Sequence, residues 1–257
     1  MCKQLEITST SNSRVKEWKK LNTKKGRKRQ NKYILDGLHL VKEALKANKK
    51  VEELLITSKF EHLNEIEIPD ETKVIMISEE VSKSISETQT PQGIFGIVSI
   101  EEEKITYPQK DVGAWLMLDG VQDPGNIGTM VRTADAAGFT GVILGEGSAD
   151  LYNPKVVRAM QGSQFHIKVI NDNLSGWIRH FKDMKVPVFG SELNEHAREY
   201  TNVGQHTNFA LVMGNEGNGM SKEILEMTSI NLYIPITNAE SLNVAVAAGI
   251  LMFALKK

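Results

Sequence analysis

The residues able to do chemistry gather in two stretches that each pair an apolar strand with a glycine turn. In the first, Asn208 to Phe253, the run Phe209–Met213 is broken by Gly214, Gly217 and Gly219. Three glycines within six residues let backbone approach backbone or a ligand where a Cβ would clash. Glu216 sits inside that turn. Ser241 and Asn243 open a helix, Leu242 to Leu255, that is apolar on nearly every side and must be buried on nearly every side. Polar residues at the mouth of such a helix stand on a rigid support. The second stretch, Trp115 to Gly138, repeats the architecture: a short strand to Leu118, an Asp123-Pro124-Gly125-Asn126 turn and a helix ended by Gly138. Ile127, Met130, Val131, Ala134 and Ala137 fall on its core face, leaving Thr129, Arg132 and Thr133 outward. Taken singly, each piece has a plain reading. The glycines make a tight turn, Glu216 is a solvated turn residue, Ser241 an N-cap, Asn243 a turn former and Arg132 a surface cation.

The two stretches together carry a resemblance. Asn126-Ile127-Gly128-Thr129-Met130-Val131-Arg132 (NxGxxxR), LVMGNEGNGMS from Leu211 to Ser221, and IPITNAESLNVAVAAGI from Ile234 to Ile250 resemble, in order, the three motifs of the SpoU/TrmH family of RNA ribose 2′-O-methyltransferases. The resemblance covers residues 112–257 closely. It implies a SPOUT fold with a trefoil knot, a homodimer, and S-adenosylmethionine as cofactor. Backbone around Met213, Gly214, Ile234, Ile236 and Leu242, with Asn243, would cradle the adenosine. Arg132 would be the principal catalytic residue. A guanidinium is charged at any working pH and so is poorly suited to act as a general base. It can hold a phosphate bidentately and stabilise charge developing at O2′. Asn126 would orient that arginine or the ribose, and Glu216, Ser241 and Asn243 would fix the loops and the substrate end. One departure lies at Met160-Gln161, where the family commonly has small residues.

The elements that must position these groups alternate along the chain. Residues 112–257 give strand and helix in turn, which predicts a parallel sheet covered on both faces, with ligands bound beyond the carboxyl ends of its strands. Both motif loops follow strands and fall at that edge. Residues 1–104 read as a small α/β domain, with helices over Ser11–Leu21 and Leu38–Ala47, strands near Tyr33, Leu54, Val74 and Ile94, and a basic loop over Lys24–Asn31. It resembles a substrate-binding domain related to ribosomal RNA-binding proteins. Residues 105–111 read as a linker.

The net charge of −1 announces no polyanion, but the distribution does. Ten lysines and arginines crowd Arg14 to Lys32 against the single acid Glu17, and a local basic block binds polyanions. Arg14, Lys24, Lys25, Arg27, Lys28 and Arg29 are the candidate RNA contacts. Val15, Trp18 and Leu21 punctuate the block at helical spacing and should anchor part of it. Cys2 is the only cysteine, which fits a reducing, cytoplasmic setting. No stretch resembles a membrane span, and the six histidines show no metal-ligand spacing. The expected protein is an RNA ribose 2′-O-methyltransferase acting on a structured RNA, with 23S ribosomal RNA favoured. The competing readings are a tRNA 2′-O-methyltransferase and a non-catalytic RNA-binding protein on the same fold.

Overall fold

The structure, a computed structural model, describes residues 5–101 and 104–257; Cys2, Glu102 and Glu103 lie outside them. These residues form two compact units, residues 5–101 with Tyr152–Phe165, and Lys104–Leu151 with His166–Lys257.

The first unit runs β1 (Leu5–Ile7), α1 (Ser13–Lys20), α2 (Lys24–Gln30), β2 (Lys32–Asp36), α3 (Leu38–Lys46), β3 (Val51–Thr57), β4 (Lys73–Ile77), α4 (Glu79–Ile85) and β5 (Ile94–Ser99). Its sheet has the order β1-β4-β3-β5-β2, with β5 antiparallel to both neighbours and the other pairs parallel. Val15, Trp18 and Leu21 enter the core with Leu55, Ile75, Ile85 and Phe95, so α1 is anchored as its spacing predicts. Lys24–Gln30 is a helix, where a loop over Lys24–Asn31 was expected. Thr23 accepts the Gly26 N–H at 3.1 Å as N-cap, and Asn31 ends the helix in the left-handed region at φ 52°. A Cβ on Gly26 would lie 1.9 Å from the Lys20 carbonyl oxygen, so this glycine lets α2 fold back on α1. The density of charge hid a helix whose two caps are plain in the sequence.

The second unit begins with β6 (Ala114–Leu118), α5 (Pro124–Ala136) and β7 (Gly141–Leu144). The chain then gives α6 (Pro154–Met160) to the first unit, where it packs on β2 and the Tyr152 ring lies 4.8 Å from that of Tyr33. This segment differs from its expected place in the C-terminal domain. Its buried Val156, Val157 and Met160 give the reason: they are the helix's apolar face. Gln161, the departure from the family pattern, sits left-handed at φ 51° as the C-cap of α6. The chain continues through β8 (Lys168–Asn171), α7 (Leu174–Asp183), β9 (Val188–Ser191), β10 (Arg198–Glu199), β11 (Phe209–Met213), α8 (Lys222–Met227), β12 (Ile230–Tyr233) and α9 (Val244–Leu255).

The sheet of this unit has the order β10-β12-β9-β11-β6-β7-β8, and every recorded pairing is parallel. β6, β7 and β11 are buried at every residue, as strands covered on both faces must be. Met213 pairs with Leu118, so β11 and β6 end level and release their loops at one edge. Strand order also reverses direction here, since β7 continues from β6 on one side while β9 lies on the far side of β11. Crevices at such switch points bind ligands. β12 stops at Tyr233, two residues before Pro235, which has no N–H for a ladder. α9 packs on α5 and buries Ala245, Ala248, Leu251, Met252 and Leu255, yet Val246 is 53% and Phe253 58% exposed. The expectation that this helix is buried on nearly every side holds for one side only.

Candidate active site

At the N-terminus of α5 the Asp123 carboxylate accepts the Asn126 N–H at 2.8 Å, and Pro124 begins the helix. This cap fixes Asn126 in the first turn with its side chain free to bond elsewhere. It bonds to two remote segments. The Asn126 Nδ2 donates to Glu216 Oε1 at 3.1 Å, and its Oδ1 accepts from Asn243 Nδ2 at 3.0 Å. Asn243 is itself the N-cap of α9, its Oδ1 accepting the N–H groups of Ala245 at 2.9 Å and Val246 at 3.2 Å. Glu216 also accepts the N–H groups of Gln122 at 3.1 Å and Asp123 at 3.0 Å. A continuous chain, Glu216 to Asn126 to Asn243, therefore joins residues 90 and 117 positions apart in sequence. Partial burial by itself would raise the Glu216 pKa. The Asn126 amide and the backbone donors of this turn outweigh that and hold it below the ordinary carboxylate value.

Sequence reasoning did not single out Asn215. Its Nδ2 donates to the Gly120 carbonyl at 2.8 Å and its Oδ1 accepts the N–H groups of Gly217 and Asn218, so it folds the glycine loop onto the end of β6. An Asn beside glycines in a strand-following turn is the signal that could have found it. Of the three loop glycines, Gly219 is left-handed at φ 68°. Gly214 is wedged so that a Cβ would lie 2.3 Å from the backbone of Gly219 and Met220.

The remaining site candidates fall around this chain by sequence and exposure. Arg132 is exposed on α5, six residues beyond Asn126, and among the described residues makes no hydrogen bond or ion pair. Ser241 is exposed just ahead of α9. Met213 and Gly214 are buried at the end of β11, Ile234 and Leu242 are half-buried, and Ile236 is exposed. Among the described residues, 234–242 make no backbone–backbone hydrogen bonds. Apolar side chains beside unengaged main-chain donors and acceptors suit the two faces of a nucleoside, and so fit the adenosine of S-adenosylmethionine. No group of three or more His, Cys, Asp or Glu among the described residues could hold a metal ion.

The candidate RNA contacts of the first unit divide. Lys24, Lys25 and Lys28 are exposed on α2 and make no ion pair among the described residues. Arg27 does not face solvent as an RNA contact would: it is 3% exposed and its guanidinium donates to the Leu21 carbonyl at 2.7 Å, so it braces α2 against α1. Arg14 is half-buried over the Trp18 ring and paired with Glu53 at 2.8 Å, and Arg29 is paired with Glu17.

Residues 113–253 match the SpoU rRNA Methylase family, and residues 12–96 the MRM3-like substrate binding domain. The chain is 44% identical over 256 residues to 23S rRNA (guanosine(2553)-2′-O)-methyltransferase RlmP of Bacillus subtilis, with 98% of this chain and 99% of that protein covered. It is 30% identical to the human mitochondrial rRNA methyltransferase 3, over 90% of this chain and 69% of that protein. Among solved structures, the AdoMet-bound rRNA methyltransferase from Sinorhizobium meliloti matches with a TM-score of 0.85 and 32% identity, covering 96% of this chain and 95% of that one.

Proposed function

The chain belongs to the SpoU rRNA methylase family of RNA methyltransferases, and we propose that it methylates the ribose 2′-OH of a guanosine in 23S ribosomal RNA, the substrate named for its Bacillus subtilis relative. The observation that carries the reading is the hydrogen-bond chain Glu216–Asn126–Asn243, which ties all three motif segments to one edge of the parallel sheet. S-adenosylmethionine supplies the electrophilic methyl group. The chain's own residues do the rest. Main chain at Met213, Gly214, Ile234, Ile236 and Leu242 reads the adenosine edge while the apolar side chains pack its base. Asn126, Glu216 and Asn243 keep the three loops in register, and Ser241 lies at the substrate end. Arg132, which makes no hydrogen bond or ion pair among the described residues, holds the phosphate next to the target ribose and offsets the charge that grows on O2′ as the hydroxyl loses its proton.

Lys24, Lys25 and Lys28 give the first unit a basic face for the RNA backbone. The exposed Val246 and Phe253 on α9 support a homodimer in which a second copy covers that helix. The knotted threading of the last helix is carried over with the family. A cytoplasmic location fits a ribosomal substrate and a single cysteine.

The test is transfer of labelled methyl from S-adenosylmethionine to unmodified 23S rRNA and to tRNA, followed by alkaline digestion. Alkali cleaves through a free 2′-OH, so a 2′-O-methyl leaves its label in a resistant dinucleotide. Label in such a dinucleotide from 23S rRNA is expected. Label in mononucleotides, or on tRNA alone, would overturn the reading.

A further inference from the structure

In the parallel sheet β11 lies between β9 and β6, so its loop, Gly214 to Ser221, emerges between the ends of two neighbours. The first residue beyond each neighbour is a carboxylate. Asp119 follows Leu118 at the end of β6, and Glu192 follows Ser191 at the end of β9. Neither falls within the three motif signatures. Asp119 Oδ2 accepts the Ser221 N–H at 2.6 Å, and Glu192 Oε2 accepts the Met220 N–H at 3.4 Å. Consecutive amides of one loop are thus held by acids from the two flanking strands.

Both acids stand on fixed bases. The Asp119 N–H donates to the Met213 carbonyl at 2.8 Å and the Glu192 N–H to the Leu232 carbonyl at 3.1 Å, so each backbone is still part of the sheet. Glu192 also fills the space beside Gly219, where a Cβ would come within 2.7 Å of its Oε2. The Ser221 side chain makes no capping bond at the start of α8, and Asp119 is the group that secures its amide. At the other end the loop closes on itself, with Asn215 N–H to Gly219 O at 2.8 Å and Gly219 N–H to Asn215 O at 3.0 Å.

We infer that Asp119 and Glu192 are positioning residues for cofactor binding: they hold the Met220 and Ser221 amides so that the backbone at Met213 and Gly214 meets the adenosine already ordered. The inference rests on the proposed assignment of that backbone to S-adenosylmethionine. A loop fixed before the ligand arrives spares binding the entropy of ordering it. Once the cofactor is bound the loop is ordered in either case, so the effect falls on affinity and leaves turnover at saturation nearly intact. The bond needs an acceptor oxygen at the right reach, and an amide side chain supplies one.

The experiment is calorimetric titration of the full-length protein with S-adenosylmethionine, without RNA, paired with steady-state kinetics. Asp119→Leu and Glu192→Met should each weaken binding about tenfold or more, the loss expected when a loop amide is left without its acceptor. Their turnover at saturating cofactor should stay within about threefold of wild type. Asp119→Asn and Glu192→Gln should bind within about threefold of wild type. Unchanged affinity in the apolar variants overturns the inference, as does an equal loss in the amide variants or a collapse of turnover at saturation. Should Asp119→Leu fail to fold, the Glu192 pair decides by the same criteria. Failure of the wild type to bind S-adenosylmethionine would instead remove the functional reading beneath the inference.

Discussion

Replacing Asn126 by aspartate changes one atom of the chain that joins the three motif segments, and changes its charge. In the wild type the Asn126 Nδ2 donates to Glu216 Oε1 at 3.1 Å; in Asn126→Asp a carboxylate oxygen takes that place. Two unit negative charges 3.1 Å apart repel by about 1.3 kcal/mol in a water-like dielectric and about 5 kcal/mol at an effective dielectric of about 20. Glu216 is exposed, so solvent screening puts the figure near the lower bound. Adding about 1 kcal/mol for the lost hydrogen bond gives a destabilisation of roughly 2 kcal/mol. For a protein of this size that lowers the melting temperature by about 4–8 °C.

The pH dependence has a definite sign. Wild-type Glu216 has a depressed folded-state pKa, so its stabilisation is present above the ordinary carboxylate pKa and lost as pH falls through the folded value. In Asn126→Asp the paired acids share a raised pKa, and stability is recovered as they take up a proton. The recovery in the variant closes the gap as the pH falls from about 7 to about 4, and the wild-type loss, which begins only at the ordinary carboxylate pKa, closes it further below. High salt should narrow it as well. Scanning calorimetry of wild type, Asn126→Asp and the uncharged Asn126→Leu across that range reads the effect directly. If Asn126→Asp and Asn126→Leu melt together at every pH, charge at this position is irrelevant and the reasoning fails.

Arg132→Ala should lower turnover about 100-fold or more while the affinity for S-adenosylmethionine stays within about twofold; unchanged turnover would exclude Arg132 from the chemistry. Replacing Lys24, Lys25 and Lys28 together by alanine should weaken RNA binding and reduce the log–log salt slope by about 2 to 3, from three lost phosphate contacts. A salt slope identical to wild type would move the RNA contact off α2. Arg27→Ala should leave that slope alone and instead cost about 1–3 kcal/mol of stability, because the buried Leu21 carbonyl loses its donor. In sedimentation velocity the protein should run as a dimer, and charged substitutions at Val246 and Phe253 should turn it into a monomer; an unchanged sedimentation coefficient would mean that α9 is not an interface.

What depends on near neighbours can be read along the chain. The apolar run at Phe209–Met213 is the strand β11, the periodic residues from Ile127 to Ala134 are the buried face of α5, and Gly138 ends that helix with φ 70°. Strand–helix alternation was enough to put both glycine turns at one edge of a parallel sheet. Motif resemblance added the reaction and the cofactor, which no periodicity encodes. Contacts between segments far apart in the chain are set by the fold. Only folding selects Glu216 and Asn243, 90 and 117 residues away, as the partners of Asn126. Only the folded chain shows that Arg27 turns inward while Lys24, Lys25 and Lys28 stay in solvent, because a long cationic side chain answers to the surface it meets rather than to its neighbours in sequence. The transfer of Tyr152–Phe165 to the first unit, and the capture of Met220 and Ser221 by Asp119 and Glu192, follow the same rule. Local pattern fixes an element and the face it buries; strand order and register choose what that face and its loop ends will touch.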